Sequence, residues 1–378
     1  MKLQILNNIA KEGLNLLQDN NFELVSDQND VSGIVLRSHN LTSLSINDSL
    51  HAIARAGAGT NNINVDNCSE RGVVVFNTPG ANANAVKEMV ICALILSKRD
   101  LVSGNKNLDS IDTENMNDEE IRGKKLSIIG LGSIGSMVAM QAINLGMKVK
   151  AYDPGLTVDI ALGLPSSLEK SDSMESCFND ADYVSLHIPL NPSTEGIVNK
   201  DKLSLLNKNS VLINFSRGGI VDEHDLLAQL DSGMLLKYVT DFPTKNLLKR
   251  INSPKDVMIF PHLGASTKES EINCAVMACD QISEFLNYGK ITNSVNFPNI
   301  SSEKHGKHRI FITNKNEPGI ISKIAECLAG NKINISEFVN KSRDNLACNI
   351  IDTDDEIEAS IVCELEKIKG VTNARLCY

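Results

Sequence analysis

The sequence predicts an α/β fold with two parallel-sheet domains, followed by a smaller domain with an antiparallel plan. Three observations predict it. Short apolar, partly β-branched runs alternate with helical patterns as far as Tyr288. One of these alternations carries a glycine-rich turn and ends in an acid. Beyond residue 308 the order becomes strand, helix, strand, strand, helix, strand. At 378 residues the chain exceeds one ordinary domain, so two or three are expected.

The glycine turn justifies the central domain. Leu126 to Ile129 reads as a buried strand, followed by GLGSIG at 130–135. A helical pattern then runs through Val138, Ala142 and Leu145 and stops at Gly146. A second strand, Lys148 to Tyr152, ends at Asp153. Gly130 permits a tight turn, Gly132 lets backbone approach a pyrophosphate, and Gly135 lets helix and strand pack closely. The helix start at Ser133 and Ile134 offers free N–H groups and a positive dipole end to phosphate. Asp153 lies 18 residues past Gly135 (153 − 135), where a carboxylate accepts from both ribose hydroxyls. The same charge repels a 2′-phosphate, which favours NAD over NADP.

The other elements follow in order. Met1 to Leu6 reads as a strand and Lys11 to Gln18 as a helix with Leu14 and Leu17 on one face. Gly33 to Arg37, Ser49 to Arg55 and Val73 to Asn77 complete a small parallel sheet. Asn84 to Arg99 is a mostly apolar helix, and 101–121 is a polar surface excursion. Tyr183 to His187, Val211 to Phe215, Lys237 to Asp241 and Val257 to Phe260 extend the central sheet. Each ends in polar or glycine residues, and ligands of open α/β sheets lie beyond those carboxyl ends. Ser270 to Tyr288 is a helix that returns the chain to the first domain. The expected bounds are 1–90 with 275–300, 91–274, a linker at 301–308, and 309–378. The last unit is expected to be separable, its removal leaving both parallel-sheet domains folded.

Composition narrows the function. Lys plus Arg is 37 against 47 Asp plus Glu, a net charge of −10, with no dense basic run. Nucleic acid and anionic membrane are therefore poor partners. The apolar run Met89 to Leu96 falls far short of the roughly 20 residues that span a bilayer. Nine cysteines without a CxxC pair point to reduced thiols in a cytoplasm, and no metal-ligand spacing is visible.

By its motifs the chain resembles the D-2-hydroxyacid dehydrogenase family, in the branch that carries a C-terminal ACT domain. The residues are GLGSIG with Asp153, HIP at 187–189, NPSTEGIV at 191–198, NFSRGGIVDE at 214–223, TDFP at 240–243 and PHLGAST at 261–267. RAGAGTNNI at 55–63 and NTPGANANAVKE at 77–88 add to them. The resemblance implies two Rossmann- or flavodoxin-like domains and a ferredoxin-like βαββαβ ACT domain. It implies NAD as cofactor, D-3-phosphoglycerate as substrate, and a homodimer or homotetramer. Arg217 would hold the substrate carboxylate, since a planar guanidinium grips one bidentately. His262 would be the acid–base group, as an imidazole titrates in the right range. Ala58, His187, Pro189, Asn214, Phe215, Ser216 and Gly264 would line the cofactor, and Asp241 would meet the nicotinamide carboxamide. Arg37, Ser38 and Arg55 would face a phosphorylated substrate. In the last unit Asn314, Asn316 and Asn334 would contact an L-serine effector.

One stretch departs from the family. Its usual glutamate, a few residues after Asp241, is absent from Phe242-Pro243-Thr244-Lys245-Asn246. The third member of the catalytic set, the carboxylate beside His262, is thus expected to be missing or supplied from elsewhere. This keeps open a different 2-hydroxyacid substrate (glyoxylate, hydroxypyruvate or 2-hydroxyglutarate) and a non-catalytic sensor of NAD and amino acids.

Overall fold

The computed structural model describes residues 1–26, 30–99, 101, 119–251 and 256–377. The polar excursion expected at 101–121 lies largely outside them. The chain divides into two compact units, Met1–Asn82 with Lys268–Tyr378, and Ala83–Thr267.

Ala83–Thr267 holds a seven-stranded sheet. Its strands, numbered in chain order after five in the other unit, are β6 (Lys125–Ile129), β7 (Lys148–Tyr152), β8 (Glu169–Lys170), β9 (Tyr183–Leu186), β10 (Val211–Asn214), β11 (Lys237–Thr240) and β12 (Val257–Ile259). The order β12-β11-β10-β9-β6-β7-β8 is parallel at every ladder. This is the doubly wound plan, with its switch point between β6 and β9. β9 and β10 are buried along their whole length, as a sheet covered on both faces requires. Apolar clusters lie on either side of it, one around Phe178, Leu212 and Leu226, the other around Val90, Val138 and Ile213. The apolar helix expected at 84–99 forms as Ala83–Leu96 and belongs to the second cluster.

The other unit holds two sheets. The first has β1 (Lys2–Ile5), β2 (Glu23–Val25), β3 (Gly33–Leu36), β4 (Ala52–Arg55) and β5 (Val74–Phe76), in the order β2-β1-β3-β4-β5, all parallel. That is the flavodoxin-like order. The second has β13 (His308–Lys315), β14 (Ile335–Arg343), β15 (Leu346–Thr353) and β16 (Val371–Cys377), antiparallel in the order β14-β15-β13-β16. With helices Ile320–Gly330 and Ala359–Glu366 it makes the expected βαββαβ order.

The last sheet shares a core with the first. Strand periodicity splits β13, β15 and β16 between two faces. Ile310, Ile312, Ile351 and Ala374 face the two helices. Phe311, Cys348, Ile350 and Cys377 join one core with Leu3, Val35, Phe76 and the helix Lys268–Tyr288. Phe285 of that helix packs its ring tilted against Phe76 at 5.6 Å and edge-on to Phe311 at 4.9 Å. Two buried arginines bind the helix end. Arg375 donates to the carbonyls of Phe285 and Leu286 while its guanidinium lies 4.4 Å from the Phe285 ring centre. Arg309 donates to Tyr288 O at 3.1 Å and pairs with the buried Asp352 at 2.7 Å. These cations meet the negative end of the helix dipole and its orphan carbonyls. Residues 301–308, expected as a linker, are tied down as well. Arg309 binds the carbonyls of Ser302 and Glu303, and His305 N donates to Asp352.

Candidate active site

The nucleotide turn comes first, because its geometry follows most directly from residue type. Gly130 has φ +95°, and a methyl group there would meet His187 O at 2.5 Å. A methyl at Gly135 would collide with Gly130 O, so the helix Ser133–Asn144 can approach β6 only without one. Gly132 differs, with open space where a side chain would be. Asp153 follows β7 and accepts Leu131 N at 2.7 Å and Gly155 N at 2.8 Å. The carboxylate is thereby held against the turn. These features fit a dinucleotide: closed packing at two glycines, open space at the third, and a fixed carboxylate.

His187 follows β9, and Ser185 Oγ lies 2.9 Å from its Nε2. Burial pushes this imidazole down to about 4, so it is neutral near pH 7. Pro189 is exposed, its carbonyl accepting Thr194 Oγ1 at 2.6 Å.

Asn214 closes β10 and shapes the arginine turn. It is buried, accepts Ser216 N at 3.1 Å, and donates to Arg217 O at 2.9 Å and to the Tyr238 hydroxyl at 3.3 Å. Ser216 Oγ donates to Leu186 O. Phe215 is buried edge-on to Phe260 at 5.7 Å. The turn therefore rests on buried anchors while Arg217 projects into solvent, its Nη1 on Ser216 O at 2.7 Å.

His262 follows β12, and its carboxylate partner is supplied from elsewhere, by Asp241. Its Nδ1 lies 3.1 Å from Asp241 Oδ2, the histidine side chain being 66% exposed and the aspartate 3%. The register Thr240↔Ile259 brings the ends of β11 and β12 together, so the residues just beyond meet. Phe242 packs its ring 5.0 Å from the imidazole. Burial raises the Asp241 carboxyl above the ordinary aspartate range, against the opposing pull of His262 and Arg217. Its Oδ1 is buried with no partner among the described residues. Gly218, Tyr238, Asp241, Phe242 and His262 line one cavity of about 430 Å³. Gly264 is buried, within 4 Å contact of Asp241 and Val86 for an added methyl. The sequence signal for this pair was an acid directly after an apolar strand.

The remaining site residues lie in the other unit. Arg37 and Ser38 follow β3, and Arg55 ends β4. Arg37 pairs with Glu271 at 2.7 Å, a partner that the sequence reading did not identify. Arg55 Nε donates to Arg37 O at 3.1 Å, and Ser38 N to Asn7 Oδ1 at 3.0 Å. Ala58 O accepts Asn77 Nδ2 at 2.7 Å. Asn314 is 2% exposed and committed to a ladder, accepting from Asn349 at 2.7 Å and donating to Lys315 O at 2.6 Å. Asn316 and Asn334 are exposed, donating to Asp344 O and Asp354 Oδ2 at 3.0 Å each.

Comparison with known proteins agrees with this geometry. Residues 91–264 match the family model described as D-isomer specific 2-hydroxyacid dehydrogenase, NAD binding domain. D-3-phosphoglycerate dehydrogenase of Escherichia coli is 32% identical over 359 residues, covering 92% of this chain and 86% of that one. The NAD+-bound 3-phosphoglycerate dehydrogenase of Entamoeba histolytica superposes with a TM-score of 0.62 at 26% identity, over 78% of this chain and 98% of the other. A glyoxylate reductase from Paecilomyes thermophila shares the fold, with a TM-score of 0.67 at 21% identity over 78% and 98%. No helix among the described residues is long and apolar enough to cross a membrane. With a nucleotide turn closed by Gly130 and Gly135, an acid at 153, and a histidine and an arginine at the carboxyl ends of the same sheet, the chain belongs to the D-isomer-specific 2-hydroxyacid dehydrogenase family.

Proposed function

We propose that the protein oxidises D-3-phosphoglycerate to 3-phosphohydroxypyruvate with NAD, the first step of L-serine biosynthesis. The observation that carries this reading is a carboxylate-paired His262 and a projecting Arg217 at strand ends of the sheet that bears the nucleotide turn. NAD, when bound, accepts the hydride from the hydroxyl-bearing carbon. His262 removes the hydroxyl proton through Nε2, because Nδ1 is turned to Asp241. Arg217 holds the substrate carboxylate and stabilises charge developing on the reacting oxygen. Arg37, Ser38 and Arg55 supply the phosphate contacts, with phosphate competing against Glu271 for Arg37.

In this reading the C-terminal βαββαβ unit is an ACT domain. Asn316 and Asn334 remain as its contacts to L-serine, and the chain assembles as a homodimer or homotetramer in the cytoplasm. Nine unpaired cysteines suit a reducing compartment.

A substrate panel tests the assignment. Phosphoglycerate is expected to be oxidised with NAD and far more slowly with NADP. Arg55→Ala is expected to raise KM for phosphoglycerate about 10- to 100-fold, from a lost charge-assisted contact of roughly 1.5–3 kcal/mol. KM for 2-hydroxyglutarate should stay nearly constant. Equal losses on both substrates, or faster turnover of glyoxylate or hydroxypyruvate, would move the assignment elsewhere in the family.

A further inference from the structure

We infer that Asn7 is the positioning residue of the turn after β3, its side-chain oxygen fixing residues 37–39 so that Arg37 and Ser38 meet the substrate phosphate together. This deepens the proposed function and rests on its reading of Arg37 and Ser38 as phosphate contacts.

Three observations carry it. Asn7 follows β1 and adopts φ +69°, in the left-handed region. Leu6 N donates to Val35 O at 2.9 Å, so the chain leaves the strand beside β3. From there the Asn7 side chain reaches the neighbouring strand end. Its Oδ1 accepts Ser38 N at 3.0 Å and His39 N at 2.7 Å, across 31 and 32 residues of sequence. The same turn is gripped through its carbonyls. Arg55 Nε donates to Arg37 O at 3.1 Å, and Asn62 Nδ2 donates to His39 O at 2.7 Å.

Stability does not account for this arrangement. Asn7 and residues 38–40 are exposed. Water would satisfy the same N–H and C=O groups nearly as well, so each bond adds little net free energy. A left-handed asparagine is a strained backbone choice, and such strain collects where a functional group must be held. What the bonds add is order. A loose turn samples many conformations, and a ligand contact made from it loses affinity to their freezing on binding. Here the freezing is done in folding. Arg37 shows what the fixed turn faces: its Nη1 lies 2.7 Å from Glu271 Oε1. The guanidinium therefore already meets an anionic oxygen, and the substrate phosphate takes that place. Asn7 is also neutral, so it holds the turn without setting a negative charge beside the ligand.

Steady-state kinetics of the full chain test this. Asn7→Gly keeps the backbone, because glycine adopts φ +69° freely, and removes the acceptor. It is expected to raise KM for phosphoglycerate about 10-fold or more, with kcat changed less than about twofold and the NAD Kd unmoved. Asn62→Ala releases the turn from its other side and should raise KM in the same way. Asn7→Gly should add little once Arg37→Ala and Ser38→Ala together have removed the contacts, since it acts through them. A KM unmoved by Asn7→Gly, or a loss that adds in full to that of the doubly substituted turn, would overturn the positioning role. Hydrogen exchange supplies a readout without turnover. The Ser38 and His39 amides should exchange faster in Asn7→Gly, while those of the nucleotide turn keep their rates. Equal exchange at 38 and 39 in the two proteins would overturn it as well. If phosphoglycerate is not oxidised, or if Arg37→Ala and Ser38→Ala leave its KM unchanged, the proposed substrate site fails instead, and exchange still decides whether Asn7 fixes the turn.

Discussion

The nucleotide turn at 130–135 and the buried face of β13, β15 and β16 both bring backbone elements into close contact, by opposite means. The turn does so by omission. Gly130 and Gly135 leave no side chain where a carbonyl oxygen must sit. The buried face does so by filling space: Phe311 against Phe285, Cys348 and Ile350 beside them, and Arg375 over the helix end. A contact made by omission depends on single atoms, so one methyl breaks it. A contact made by area is spread over many side chains, so it tolerates single changes and fails when the whole element is removed.

Removing residues 306–378 should have the largest effect. Phe285, now 1% exposed, would lose Phe311 and the Arg375 guanidinium together. Each large apolar side chain uncovered is worth roughly 1.5–3 kcal/mol, and a few of them match the whole stability of an ordinary domain. The truncated chain is expected to lose cooperative unfolding of its first sheet and to bind an apolar dye. NAD affinity should persist, because the cores of Ala83–Thr267 contain none of these residues. Arg375→Met should cause a milder loss. A truncated chain with the full-length melting profile would show that the shared core contributes little.

Substitutions within the turn sharpen the contrast. Gly135→Ala forces a methyl onto Gly130 O, so a loss on the order of 3 kcal/mol is expected, with NAD binding abolished. Gly132→Ala meets open space and should leave the melting temperature nearly unchanged. It should still weaken NAD binding, since the methyl lies where phosphate approaches backbone. Thermal unfolding with and without NAD separates the two, and equal destabilisation by both substitutions would refute the reading.

The smallest expected effect is a pH dependence, and each region carries its own group. Burial, with the Arg375 charge adding to it, lowers the His51 imidazole to about 4. Burial alone does the same for His187 beside the turn. Between about pH 6.5 and 4 the unfolded chain binds these protons and the folded chain does not. Stability is therefore full above that window and falls as pH drops through it, by on the order of 2 kcal/mol per histidine. His51→Gln and His187→Gln should each flatten part of the slope in denaturant titrations at stepped pH. Unchanged slopes in both variants would show that the rings are not held neutral.

The carboxyl ends of the parallel strands that were read were legible to within a residue, and the residue missed repeats. Expected ends at Arg37, His187, Phe215, Asp241 and Phe260 give way to Leu36, Leu186, Asn214, Thr240 and Ile259. In each case the last expected residue leaves the ladder at the sheet's carboxyl edge, where pairing stops. The edge strands Glu23–Val25 and Glu169–Lys170 and the helix Val65–Glu70 were among the elements not read, being too short for periodicity to register. Asn314 entered the effector set by resemblance alone. Its place in a buried asparagine ladder depends on Asn349, which donates to it, and on Asn340, which donates to Asn349.

By itself the sequence determined the nucleotide turn. Its strand, glycines, helix and acid lie within 28 consecutive positions, 126–153, and their roles follow from local backbone sterics and one charge. Tertiary structure decided two other matters. It chose Asp241 as the partner of His262, because strand register sets which loop ends meet, and no local pattern encodes that register. It also fused the C-terminal sheet to the first one. The apolar face of β13 is equally suited to water-free contact with another chain or with its own. Only the position of the helix Lys268–Tyr288, whose end carbonyls accept from Arg309 and Arg375, settles which surface covers it.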